Sequence, residues 1–156
     1  MSGCWQKLSE LMDVRAIDAA LVGVDADGAI AALVGRMVAA GLLTAQDDAL
    51  ARLREREQLK PTGIGDGIAI PHAKTAAVSR TCIALGRSQD GVPFGGADGK
   101  PATVIFLILG SPESSAEHIK VLSRIAHLVR KPAFRAAVAG AADAAALLAA
   151  VVEHQE

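Results

Sequence analysis

The sequence predicts an α/β protein, a single domain over residues 1–156 with a mixed β-sheet of about five strands flanked by helices on both faces. Segments with helical periodicity are interspersed with strand-like segments, which is typical of helices packed on a sheet. The run Val104–Leu109 is apolar at every position, as expected for a central strand covered on both sides. Hydrophobic residues make up 51% of the chain and charged residues 21%, enough apolar side chains for one substantial core.

Local signals place the boundaries of the individual elements. Asp25 or Asp27 can cap the first long helix, and Ser114 with Glu117 has the spacing of a capping box. Gly140 separates two parts of an alanine-rich C-terminal segment. The predicted elements are, in order, a short helix or edge segment at 8–14, a helix to about Ala40, a helix from Thr44 to roughly Glu57, strands at 81–87 and 103–109, a helix from Ser114 to about Arg130, and one or two helices over 133–156.

Composition and charge exclude several classes of function. The net charge is −1 without a basic block, so nucleic acid is not expected as a partner. The apolar runs are too short to cross a bilayer, and Met1–Leu11 lacks the apolar core of a signal peptide. The two cysteines, Cys4 and Cys82, are isolated and predict no disulfide framework. We therefore expect a cytoplasmic protein without direct membrane insertion.

The most informative segment is Thr62–His72, with the sequence TGIGDGIAIPH. Three alternate glycines form a pliant loop, and a short apolar run then leads to Pro71 and His72. The G-x-G-x-G spacing matches neither the dinucleotide fingerprint nor the P-loop. Those sites also place the glycine loop between a strand and a helix, whereas here a helix precedes the loop and a strand-like run follows it. A nucleotide-binding loop is therefore excluded.

His72 is the main candidate for chemistry. A neutral imidazole is a competent nucleophile near pH 7, and Pro71 restricts the direction in which it leaves the chain. The alternative is a hydrogen-bonded structural histidine at a strand end. Within the loop, Asp66 could orient an imidazole, although an Asx-turn is the simpler interpretation.

Two further residues are candidates for the same site. His118 lies in the first turn of the helix that Ser114 opens, where free amides favour an anion, although capping or packing would also explain it. Arg56 can lean over the adjoining glycine loop and pair with a phosphate, or it can belong to a solvated helix face. His127 is expected on the opposite helix face from His118, and His154 in a tail that frays. The four histidines have no metal-ligand spacing, so no metal site is predicted.

The segment from Arg56 to His72 resembles the signature of the enzyme IIA domains of the bacterial phosphotransferase system. It is similar to the fructose–mannitol class, which includes the nitrogen-regulatory IIA proteins. The motifs GVPF at 91–94, DGKP at 98–101 and EHIKVL at 117–122 follow the family in order, so the resemblance covers essentially the whole chain as one type-2 IIA domain. Pro61 departs from the family, which commonly has a small polar residue there, and should shorten the preceding helix.

The resemblance implies a phosphoryl carrier. His72 would accept the phosphoryl group through Nε2 from phospho-HPr or its nitrogen-branch counterpart, and His118 and Arg56 would help to hold it. Neither a metal nor a nucleotide cofactor is implied, because the donor is an activated phosphohistidine. The site should be shallow and open, and Ile64, Ile68 and Phe94 are candidates for its docking surface, although core packing is the default for each.

Three functions remain open for a chain with this resemblance. The chain shows neither a IIB domain nor membrane segments, which favours a nitrogen-type regulatory IIA. The first alternative is a free-standing fructose- or mannitol-type sugar IIA that passes the group to a IIB cysteine. The second is a protein-binding regulatory module without phosphotransfer.

Overall fold

The structure, a computed structural model, describes residues 7–22, 25–96 and 98–156. Cys4 lies outside these residues. Within these ranges, six strands and five helices follow a 3₁₀ turn at Leu8–Leu11. The strands are β1 (Met12–Asp18), β2 (Gly63–Gly65), β3 (Ile68–Ala69), β4 (His72–Lys74), β5 (Cys82–Val92) and β6 (Ala102–Gly110). The helices are α1 (Ala26–Ala39), α2 (Gln46–Leu59), α3 (Ser115–Leu128), α4 (Pro132–Gly140) and α5 (Ala144–His154).

The six strands form one mixed sheet, with one strand more than the expected number of about five. The order is β1-β5-β6-β3-β2, and β4 also pairs with β6, further along the same edge as β3. The hairpin β5–β6 is antiparallel, whereas β1 runs parallel to β5, and both β3 and β4 run parallel to β6. The apolar run Val104–Leu109 thus occupies a central strand, as predicted.

Helices cover both faces of the sheet, which confirms the predicted class. On one face, α1 and α2 pack through a core that includes Leu33, Met37 and Leu53. On the other face, α3, α4 and α5 pack through a core that includes Phe106, Ile125 and Phe134. Because both faces are covered, the central residues of β6 are fully buried, which explains why that strand is apolar without alternation.

Several boundaries differ from the prediction for identifiable reasons. The segment 8–14 contains both expected elements, a 3₁₀ turn followed by the start of an edge strand. Asp25 is the N-cap of α1, and its carboxylate accepts a hydrogen bond from the Gly28 amide at 2.8 Å. The helix predicted from Thr44 begins at Gln46, because Thr44 instead donates to the Ala77 carbonyl. The alanine-rich end forms two helices, separated after Gly140.

The predicted capping box at Ser114 and Glu117 is wrong. Ser114 precedes α3 but makes no side-chain cap, and its hydroxyl donates to the Ser111 carbonyl at 2.9 Å. The Glu117 carboxylate accepts a hydrogen bond from the Thr81 hydroxyl of the chain entering β5. A contact between distant segments therefore replaces the local one that the spacing predicted.

The topology brings two distant parts of the chain to one end of the sheet. In the parallel pairing of β4 with β6, His72 is opposite Ile108 and Lys74 is opposite Gly110. Strand β6 ends at Gly110, and α3 begins five residues later at Ser115. The glycine-rich segment and the first turns of α3 thus meet at the carboxyl end of β6.

Candidate active site

His72 is held in one orientation by the carbonyl of a nearby residue. Its Nδ1 lies 2.8 Å from the carbonyl oxygen of Ile70. Since a carbonyl can only accept, Nδ1 carries the proton, and the lone pair of the neutral ring is on Nε2. The side chain is half-buried at the start of β4. The geometry therefore presents Nε2 as the nucleophilic nitrogen.

The surroundings of His72 favour the neutral ring. Its pKa is lowered mainly because partial burial penalises the charged imidazolium, and the positive charge of Arg56 lowers it further. The hydrogen bond to Ile70 and the negative charge of Glu57 act in the opposite direction. With its pKa below the usual 6.5, the ring is predominantly neutral at pH 7 and Nε2 is free to attack.

His118 lies against His72, with ring centroids 5.4 Å apart and planes inclined by 52°. Only 6% of His118 is exposed, and its Nδ1 has no hydrogen-bond partner among the described residues. Burial, followed by the charges of His72 and Lys74, lowers its pKa to about 4. A buried ring nitrogen without a partner is costly, so His118 has hydrogen-bonding capacity that a bound anion or a rearranged proton could use.

Gly110 makes room for the His118 ring. A Cβ atom built on Gly110 would lie 3.1 Å from Nδ1 of His118, closer than side chains normally approach. The last residue of β6 therefore has to be small for α3 to place His118 beside His72. The sequence signal for this requirement is a single glycine at the end of an otherwise bulky apolar strand.

Arg56 is close enough for its charge to act on His72, as the spacing allowed. It sits in the last turn of α2, and its Nη1 donates to the Lys60 carbonyl at 2.8 Å. Its neighbour Glu57 accepts from both the amide and the hydroxyl of Thr62, at 2.9 and 2.6 Å. These bonds tie the end of α2 to the loop. The helix reaches Leu59 despite Pro61, so the predicted shortening is small.

The turn between β2 and β3 uses left-handed backbone at three successive residues. Gly65 and Gly67 have φ of 90° and 78°, and Asp66 between them has φ of 56°. The Asp98 carboxylate accepts a hydrogen bond from the Asp66 amide at 2.9 Å, and Arg135 donates to the Asp66 carbonyl at 2.8 Å. The Asp66 side chain is exposed, and the turn is fixed through its backbone.

The three candidates for a docking surface and the two remaining histidines differ in their burial. Ile64 is 51% exposed and fits a docking surface, whereas Ile68 and Phe94 are 4% and 3% exposed and belong to the core, the default role expected for each. His127 is exposed, as expected. His154 packs edge-on against Phe134 at the end of α5 and does not fray.

A separate cavity lies away from His72. A cavity of about 990 Å³ is lined by residues that include Leu21, Asp66, Arg87 and Arg135, and by none of the three predicted site residues. Arg87 donates there to the carbonyls of Ala19, Val138 and Ala141, so it ties together chain segments around the end of α4. His72 is therefore not part of this cavity.

Sequence reasoning missed Lys74. It lies two residues after His72 in β4, so the two side chains leave the strand on the same face. Its Nζ donates to the hydroxyl of Ser115, the first residue of α3, at 2.6 Å. Strand periodicity from His72 could have identified it. No group of three or more side chains among the described residues has the arrangement of a metal site, and no helix formed by those residues could span a bilayer.

The site combines one oriented imidazole, a second imidazole and cationic side chains, groups that together can accept and hold an anionic group. The family model for EIIA 2 of the phosphoenolpyruvate-dependent sugar phosphotransferase system matches residues 10–154. The chain belongs to this family, whose members are phosphotransferase components, as the resemblance implied.

The similar proteins include both fructose-specific components and a nitrogen regulatory protein. The fructose-specific EIIABC component of Bacillus subtilis is 33% identical over 150 residues, which are 96% of this chain and 24% of that protein. The fructose-specific EIIA component of Haloferax volcanii is 43% identical over 99 residues, 64% of each. The crystal structure of the nitrogen regulatory protein IIA-Ntr of Neisseria meningitidis has a TM-score of 0.84 at 26% identity, covering 92% of this chain and 98% of that one. The chain thus spans less than two thirds of either fructose-specific relative.

Proposed function

We propose that this protein accepts a phosphoryl group on Nε2 of His72 from phospho-HPr, or from its nitrogen-branch counterpart, and acts as a nitrogen-type regulatory IIA. The observation that carries the first part is the hydrogen bond between Nδ1 of His72 and the Ile70 carbonyl. It fixes the tautomer and leaves Nε2 as the nucleophile. Family membership supports the assignment independently.

The proposed reaction needs alignment and charge stabilisation rather than a cofactor. The lone pair of Nε2 attacks phosphorus, and the bond between phosphorus and the donor's ring nitrogen breaks. The electron pair of that bond stays on the donor nitrogen, which takes up a proton from solvent. The His72 ring keeps its Nδ1 proton on the Ile70 carbonyl, so the positive charge of the ring lies next to the phosphoryl dianion.

Two groups would stabilise the transferring phosphoryl group. The ring of His118 lies 5.4 Å from that of His72, and its Nδ1 has no partner among the described residues. If the ring turns or takes up a proton, it can donate a hydrogen bond to the phosphoryl oxygens. Arg56 already acts electrostatically on His72, and its guanidinium has donors beyond the one used by Lys60. Burial is the main cause of the low pKa of His118, followed by repulsion from His72 and Lys74. A dianion at His72 favours protonation of His118, because it adds an attraction where there was a repulsion.

The assignment is tested by incubating the protein with phosphoenolpyruvate, enzyme I and HPr and measuring acid-labile phosphate. Wild type should be labelled stoichiometrically, and His72→Ala should not be labelled. His127→Ala is the matched control, since it removes an exposed histidine from the far side of α3. Absence of label on wild type would refute phosphotransfer and favour a binding module. Label that survives in His72→Ala would refute the site.

The regulatory role is supported by the similarity to the nitrogen regulatory protein, which extends over 98% of that chain. The fructose-specific relatives favour the alternative, a sugar-type IIA that passes the group to a cysteine of a IIB domain. The two roles make different demands on the phosphorylated protein. Incubation of the phosphoprotein with fructose- and mannitol-type IIB domains should give no cysteine-linked phosphate if the protein is regulatory. Rapid transfer to one of these domains would establish the sugar-type role.

A further inference from the structure

Lys74 lies near His72 and His118 but belongs to neither of the two segments, 56–72 and 117–122, that contain these histidines. Lys74 and His72 are alternate residues of β4, with Cα atoms about 7 Å apart at the usual rise of a strand. The intervening residue, Ala73, is buried in the core under α1 and α2. The side chains of His72 and Lys74 therefore both point to the opposite face, where α3 carries His118.

Lys74 is also tied to the helix that carries His118. Its Nζ donates to Oγ of Ser115, one turn before His118 in α3. Its charge is close enough to His118 to contribute to lowering the pKa of that ring. Lys74 thus lies near His118 and is joined to α3, whereas Arg56 comes from the last turn of α2.

The positive charge of Lys74 has no carboxylate partner. No Asp or Glu oxygen lies within 4 Å of its Nζ in the part of the chain that the structure describes. Among the described residues, its hydrogen-bond partner is a neutral hydroxyl, a contact that costs little to break. An exposed ammonium of this kind can move to a nearby anion without breaking an ion pair.

We propose that Lys74 is a third phosphoryl-contacting residue, which rests on Ser115 in the unphosphorylated protein and donates to the phosphoryl oxygens once His72 carries the group. The inference rests on the proposed function of His72. Lys74 of β4 would then act on the phosphoryl group together with Arg56 of α2. No bond is made or broken in this step other than hydrogen bonds, which pass from the Ser115 hydroxyl to a phosphoryl oxygen.

The test compares four proteins in a phosphoryl-exchange equilibrium with HPr. Lys74→Met removes the charge at similar length, Lys74→Arg keeps it, Ser115→Ala removes only the resting contact, and Lys100→Met removes an exposed lysine of the β5–β6 connection. Lys74→Met should shift the equilibrium about tenfold towards phospho-HPr, which corresponds to one charge-assisted hydrogen bond. The other three variants should stay within about twofold to threefold of wild type.

A spectroscopic measurement distinguishes contact with the phosphoryl group from a structural role. In ³¹P NMR of the phosphoprotein, a nearby ammonium favours the dianion, so Lys74→Met should raise the titration midpoint of the phosphoryl group, and Ser115→Ala should leave it unchanged. If Lys74→Met and Ser115→Ala shift the phosphoryl-exchange equilibrium equally, the role of Lys74 is structural, as a contact that holds β4 against α3. A slower rate with an unchanged equilibrium would assign it to donor docking. Either result overturns the inference, whereas an unlabelled wild type would refute the proposed function itself.

Discussion

The two histidines of the site have rings 5.4 Å apart but opposite surroundings. His72 comes from a short strand, is half-buried, and has its Nδ1 satisfied by the Ile70 carbonyl. His118 comes from a helix, is 6% exposed, and has an Nδ1 without a partner among the described residues. The His72 ring is thus fixed in one orientation, whereas the His118 ring has a buried nitrogen that the described residues leave without a hydrogen bond.

The largest expected effect is on the pH dependence of stability. The pKa of His118 is about 4 in the folded protein, below that of an exposed histidine, so the unfolded chain binds the proton first as the pH falls. The stability due to neutral His118 is present above pH 6.5 and is lost between pH 6.5 and 4, at a cost of up to about 3 kcal/mol. Urea unfolding at both pH values measures it. Carboxylates also titrate in this range, so the reference is His118→Leu. Between pH 6.5 and 4, the free energy of unfolding of this variant should fall by about 3 kcal/mol less than that of the wild type.

The next effect comes from the glycine that accommodates His118. Gly110→Ala should destabilise the protein by about 2 kcal/mol, because the new methyl group presses on the His118 ring. Phosphoryl acceptance should fall as well, since the ring must move. Gly140→Ala is the matched control, since nothing lies within 4 Å of its Cβ position. Thermal unfolding of both variants measures the effect, and equal melting temperatures would refute the steric role of Gly110.

Leucine substitutions should have opposite signs at the two histidines. His118→Leu should stabilise the protein by about 1 kcal/mol at pH 7, because it removes a buried nitrogen without a partner. His72→Leu should destabilise it by about 1 kcal/mol, because the Ile70 carbonyl loses its donor. Denaturant midpoints at pH 7 measure both changes. Destabilisation by His118→Leu would mean that the ring is satisfied in solution.

The smallest effect concerns the charges around His72. Glu57→Gln should lower the pKa of His72 and Arg56→Gln should raise it, because the two side chains act on the ring with opposite sign. Neither change should alter the pKa of His118, which is lowered by burial and by the charges of His72 and Lys74. Histidine ring resonances followed by NMR across pH report both rings in one experiment. Equal shifts of the two rings would contradict their separate surroundings.

Sequence reasoning succeeded where the determinants were local. The apolar run of β6, the N-cap at Asp25 and the glycine-rich turn were identified because each depends on neighbouring residues. It failed where a distant segment competed. Glu117 accepts a hydrogen bond from Thr81 of the chain before β5 instead of capping its own helix.

The sequence by itself determined the α/β class, the family and the presence of an oriented histidine after Pro71, because periodicity, glycine positions and motif order are properties of adjacent residues. Only the tertiary structure decided which groups surround that histidine. The parallel pairing of β4 with β6 sets Lys74 opposite Gly110, and the space left by that glycine admits His118 from α3. Gly110 and His118 lie more than thirty residues after His72 in the chain, and strand pairing between distant segments is not encoded in the local pattern of either one.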